Sequence, residues 1–181
     1  MFPAFAKDVP AAWVRKVARQ ALATAKADVQ GVSVVIADGA TIRSLNAQYH
    51  GLNEVTDVLS FAWAHEGHWE GEDGKDEALA GNHRFPFVAP KAKGIGEIVV
   101  SYPQAKRQAL EHGHTPKDEV ALLITHGVLH LLGHDHAKPA EGRRMQTLER
   151  KALSGLTQKS GVVTPEPGRQ SGKSNGRPSS G

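Results

Sequence analysis

The sequence predicts an α+β domain, a layered α/β arrangement of three or four strands among four or five helices over about residues 5–155. Three observations carry this. Short β-branched runs fit buried strands, apolar residues between them recur at helical spacing, and glycine or proline marks the junctions. The elements come in mixed order, without strict alternation, and no internal repeat is present. With 181 residues, a prior of ~150 residues per domain gives one domain and a tail.

The first helix is expected over 10–27. Pro10 suits a first turn, and Trp13, Val14, Val17, Ala21, Leu22 and Ala25 share one face. Gly31 breaks it, and 32–37 is a β-branched strand. Asp38-Gly39 turns the chain, and Thr41 is the expected cap of a helix through residue 48 with Ile42, Leu45 and Tyr49 apolar. A second strand is expected over 57–63. Residues 64–93 change character: from His65 to Glu77 there are six acids, one lysine and three glycines, which marks a long acidic loop insertion. A third strand follows over 95–101, then helices over 103–113 and 116–132, with Gly113 ending one and Thr115-Pro116 starting the next. The last helix, 141–153, has Met145, Leu148 and Ala152 on one face. Residues 156–181 are expected to be a disordered basic tail, rich in Gly, Ser, Pro and cations.

Composition excludes several classes. The absence of cysteine removes disulfide scaffolds, thiolate metal sites and cysteine catalysis. No apolar run approaches the ~18 residues of a membrane span. Residues 1–8 lack the basic-then-apolar order of a signal peptide, so a soluble, cytoplasmic protein is expected. The net charge of +3 invites a nucleic-acid reading. Five cations against Glu166 alone give residues 151–181 a charge of +4, however, which leaves residues 1–150 at −1. Charge therefore says nothing about what the folded part acts on.

Four of the ten histidines fall between residues 126 and 136. His126 and His130 are four apart, on one face of an otherwise apolar helix, and can converge on one ion. Gly133 can end that helix in the left-handed conformation, letting the chain return with His136. Three imidazoles and an open fourth position form the ligand set of catalytic zinc, although nickel, copper and iron accept the same ligands. The spacing matches that of extended zinc peptidases, His-Glu-x-x-His-x-x-Gly-x-x-His, except that Gly127 occupies the position of the general-base glutamate. Peptide hydrolysis is thereby demoted.

The segment His126-Gly127-Val128-Leu129-His130-Leu131-Leu132-Gly133-His134-Asp135-His136 resembles the signature of the YbeY family of bacterial endoribonucleases, the rRNA maturation factors. Two further blocks match in order: Leu45-Asn46-Ala47-Gln48-Tyr49-His50-Gly51 with Thr56-Asp57-Val58-Leu59-Ser60-Phe61, and Gly96-Glu97-Ile98-Val99-Val100-Ser101. The resemblance implies one domain, here 1–155, with a small mixed sheet. The expectation is four strands packed with about five helices, and a metal site on a helix and the following loop. It implies one Zn²⁺ per chain, held by His126, His130, His136 and a water. It further implies single-strand-specific cleavage of RNA in rRNA maturation, at the 3′ end of 16S rRNA, and in ribosome quality control. The implied partners are rRNA and the ribosome or its small-subunit proteins, with no membrane. Two alternatives stand beside it: a zinc metallopeptidase-like hydrolase, and a non-catalytic ribosome-binding zinc module.

His50 stands where the family has an arginine regarded as important for catalysis, and it lacks the bidentate fork of a guanidinium. Arg43, Arg107 and Arg143 are candidate RNA-contacting cations in its place, and Lys106 and Arg144 could join a phosphate-contacting rim. Asp135 either orients a ligand imidazole or caps a turn. Ser60 and Thr56 are candidate substrate-lining groups. His134 is expected to line a groove or face solvent, and His65 and His68 to be solvated loop residues. Asp57 and Glu97, at strand ends, are expected to make structural hydrogen bonds.

Overall fold

The computed structural model describes residues 3–28, 31–62, 94–134 and 138–157. The acidic segment at 64–93, with His65 and His68, lies outside them, as do Asp135, His136 and the tail from residue 158. After a single 3₁₀ turn at Pro3–Phe5 come α1 (Ala11–Thr24), β1 (Ser33–Ala37), α2 (Gly39–His50), β2 (Val58–Ala62), β3 (Gly96–Ser101), α3 (Tyr102–His112), α4 (Pro116–Leu131) and α5 (Pro139–Thr157).

β3 is the central strand, parallel to β1 and antiparallel to β2, with all six of its residues buried. The sheet is mixed, as expected, but has three strands among the described residues, not four. The sequence offers two β-branched runs, which form β1 and β3, and one mixed apolar run, Val58-Leu59-Ser60-Phe61-Ala62, which forms β2. Because successive strand residues face opposite sides, the sheet sorts its side chains into two cores. Val35, Ala37, Leu59 and Val99 pack with Ile42 and Leu45 of α2. Ile36, Ile98 and Val100 face the other way, against Val14, Val17 and Ala21 of α1 and Val120, Ile124 and Val128 of α4. The result is three layers: α2, the sheet, and the helices led by α4.

Helix ends follow local chemistry. Asp38, not Thr41, caps α2: its Oδ1 accepts the Thr41 N–H at 2.8 Å, and that bond holds the carboxyl below its usual range. Gly39 is already helical, so Thr41 sits within the first turn, not at its edge. Thr115 caps α4 through a reciprocal pair with Asp118. α5 extends beyond both ends of the expected 141–153, to Thr157, because Leu153 and Leu156 still pack against the core.

Candidate metal centre

α4 is buried along most of its length, and two imidazoles interrupt its apolar surface at one side. His126 and His130 are both partly exposed, their rings 4.5 Å apart and nearly perpendicular. Their Nε2 atoms approach to 3.0 Å. Ligands at the usual zinc–nitrogen distance of ~2.0–2.1 Å stand roughly 3.3 Å apart around a tetrahedral ion. The pair thus has nearly the separation of one edge of such a site.

The other nitrogen of His126 is engaged. Glu149 on α5 reaches across, with Oε1 2.8 Å from His126 Nδ1. A carboxylate oxygen accepts, so this bond places the proton on Nδ1 and makes Nε2, the nitrogen turned towards His130 Nε2, the one that can ligate an ion. Glu149 was not singled out from the sequence. The signal was present: Met145, Leu148 and Ala152 mark a buried face, and Glu149 falls inside their i, i+3, i+4, i+7 stripe. Replacing it by glutamine removes the anion while keeping the shape. If the pair holds a metal ion, Glu149→Gln should weaken its binding by about 10- to 100-fold, as measured by competition with a chromophoric chelator.

The helix ends as the sequence suggests. Gly133 has φ 78°, in the left-handed region. Its N–H bonds His130 O at 2.9 Å and the His134 N–H bonds Leu129 O at 3.0 Å, the two bonds of a Schellman ending. This turns the chain immediately after the second imidazole. His134 is half-buried there, while Asp135 and His136 belong to the residues outside the description.

Gly127 is fully in the interior, against the sheet. A Cβ at that position would stand 3.0 Å from both Ile98 Cγ2 and Ser60 Oγ. The close approach of α4 to β2 and β3 depends on the missing side chain. Ser60 accordingly lies beside the residue that follows His126. Thr56 and Asp57 make structural bonds, two of them local and one to α3. Thr56 Oγ1 donates to Asp57 Oδ1, which also accepts the Val58 N–H at 2.8 Å, and Gln108 Nε2 donates to Asp57 Oδ2 at 3.0 Å. Glu97 is wholly buried and accepts from Ser33 Oγ at 3.1 Å. Both acids play the structural roles expected of them.

His50 closes α2, followed by Gly51 as its cap. Partial burial lowers its imidazole pKa from the usual value, so the ring is neutral at neutral pH. Arg43, Arg107 and Arg143 are exposed on three different helices, α2, α3 and α5, as are Lys106 and Arg144. Arg107 pairs with Glu111 one turn on, at 3.7 Å. A second cluster was also missed: among the described residues, His112, His114 and Glu119 offer ligand atoms within 4.8 Å of one another, a group that could hold a metal ion.

The family model described as Endoribonuclease YbeY matches residues 5–157. A curated Endoribonuclease YbeY of Dehalococcoides mccartyi is 40% identical over 139 residues, 76% of this chain and 82% of that protein. That of Heliobacterium modesticaldum is 41% identical over 123 residues, 67% of each. That of Brevibacillus brevis is 40% identical over 133 residues, 72% of this chain and 79% of its own. A solution structure of a Thermotoga maritima protein aligns with a TM-score of 0.49 and 20% identity, covering 89% of this chain and 95% of that one.

Proposed function

Since the chain belongs to the YbeY family of endoribonucleases, we propose that it is a zinc-dependent, single-strand-specific endoribonuclease of rRNA maturation. Its substrate would be the 3′ end of small-subunit (16S) rRNA, with a further part in ribosome quality control and with the ribosome or small-subunit proteins as partners. The observation that carries the metal is the pair of Nε2 atoms 3.0 Å apart, one of them oriented by Glu149. His126, His130 and His136 would hold one Zn²⁺. No helix among the described residues is long and apolar enough to cross a membrane, which suits a cytoplasmic site of action.

The chemistry contributed there by bound zinc is Lewis-acid polarisation of a phosphoryl oxygen and acidification of water. The protein's own groups do the rest. Glu149 fixes the tautomer and the angle of His126. Gly127 lets α4 lie against β2 and β3, beside Ser60, whose hydroxyl would line the substrate. Asp135, next to His136 in sequence, would orient that ligand. Exposed Arg43, Arg107 and Arg143 would contact flanking phosphates; such contacts fix position and carry no sequence information.

His50 enters as a neutral imidazole, suited to relaying a proton and unable to supply the charge of a guanidinium. A charge-assisted, bidentate phosphate contact contributes about 1.5–3 kcal/mol, so His50→Arg should raise cleavage about 10-fold or more. An unchanged rate in a single-turnover assay would remove His50 from the site. The substrate class is tested with a 3′-extended small-subunit rRNA fragment, single-stranded or annealed to its complement. Zinc-dependent cutting of the single strand alone is expected. Equal cutting of both forms, or none of either, would reject it.

The peptidase reading gains nothing from the geometry, because position 127 carries no carboxylate and even a Cβ there would crowd Ile98 and Ser60 at 3.0 Å. The reading as a non-catalytic zinc module requires the protein to bind ribosomes without cutting RNA, and the same assay decides it.

A further inference from the structure

We propose a second divalent-metal site, formed by His112 Nδ1, His114 Nε2 and a carboxylate oxygen of Glu119, that ties the α3–α4 turn. Glu119 is 2% exposed, on the first turn of α4, directly before the buried apolar residues Val120 and Ala121. A carboxylate removed from water needs a cationic partner. Two imidazoles face this one. His114 Nε2 touches Glu119 Oε2, and His112 Nδ1 lies 3.5 Å from the same oxygen. All three ligand atoms fall within 4.8 Å of one another. His112 Nδ1 already stands near the roughly 3.3 Å separation of ligands around zinc, and His114 Nε2, in direct hydrogen-bonding contact with Glu119 Oε2, would swing outward by about an ångström to admit the ion. Imidazole and carboxylate together suit zinc, cobalt(II) and nickel(II).

The turn is built to hold them. Gly113, at φ 72°, reverses the chain between the two histidines, and the His114 N–H bonds Ala109 O at 3.0 Å. The Thr115–Asp118 capping pair then fixes the start of α4, from which Glu119 points back. The His112 side chain is 56% exposed and that of His114 33%, so an ion and a completing water reach the site from solvent. The buried carboxylate and the two surface imidazoles bring together α3, the turn and α4.

This site is distinct from the His126–His130 pair. Seven residues separate Glu119 from His126, which is ~10 Å along a helix rising ~1.5 Å per residue. Two-metal catalytic centres hold their ions ~3.5–4 Å apart. The second ion would therefore brace the fold and take no part in phosphodiester chemistry.

The test is zinc stoichiometry of the full chain, stripped of metal and titrated against a chromophoric chelator. The parent should bind two equivalents, and the double variant His112→Ala/His114→Gln one, with RNA cleavage retained. In the His126→Ala background the remaining equivalent should vanish on adding His114→Gln, and cobalt(II) should show a tetrahedral absorption band that the same change removes. Since His112 and His114 are at the surface, circular dichroism should show these variants folded. The site is overturned if changes at residues 112 and 114 leave the number of bound ions unaltered, or if the His126→Ala protein binds none. Those results leave the endoribonuclease assignment untouched, because cleavage is scored separately.

Discussion

Substituting His126 by alanine should lower RNA cleavage by ~10³-fold or more while leaving the protein folded. The imidazole contributes in two ways: its Nε2 forms one edge of the site with His130, and its Nδ1 is the anchor for Glu149. On the proposed reading, loss of the ligand would remove the Lewis acid, an effect of several kcal/mol on the transition state, and each ~1.4 kcal/mol is tenfold in rate. His126 is only partly buried, so truncation opens no large cavity. The cost to folding should be modest, with Glu149 losing its partner. Single-turnover cleavage of a single-stranded rRNA fragment, with circular dichroism of the same sample, measures both. A cleavage rate within a few-fold of the parent would place the chemistry elsewhere on the chain.

The second large effect is on folding. Gly127→Glu restores the residue that extended zinc peptidases carry at this spacing, and it should destabilise the protein by at least about 3 kcal/mol. Overpacking a filled core costs about 1–3 kcal/mol, and here the first added carbon already crowds Ile98 and Ser60 at 3.0 Å. The rest of the side chain would bring a carboxylate among Ile98, Val128 and their neighbours, where an unpaired charge is costly. Urea unfolding of the variant reads the loss directly. A variant as stable as the parent that also hydrolysed peptides would contradict this account of Gly127.

Much of the fold was legible because the relevant signals are local. The β-branched runs at 32–37 and 95–101 became β1 and β3, and the apolar residues of α1, α4 and α5 mark faces that are buried in the structure. The errors were also local in origin. Both Asp38 and Thr41 are good capping residues, and only the backbone conformation before Gly39 decides between them. The site was legible to the extent that its residues are near neighbours in sequence. His126 and His130 share one helix face, and Gly133 ends that helix. Glu149 and Glu119 escaped because their partners come from other segments: Glu149 reaches His126 across two packed helices, and Glu119 meets imidazoles beyond a turn. An acidic residue inside an apolar stripe was the clue for Glu149, whereas Glu119 stands beside Asp118 at the head of α4, where an acid is ordinary and nothing along the chain marks it as buried.

The central claim is that the His126–His130 centre makes RNA cleavage depend on metal. It is tested most directly by loading the stripped His112→Ala/His114→Gln protein with graded zinc and measuring single-turnover cleavage of single-stranded rRNA at each occupancy. The rate should rise in proportion to bound zinc and saturate at one equivalent, and chelation should return it to baseline. Full cleavage by the stripped protein, or a rate indifferent to zinc from zero to one equivalent, would contradict the claim.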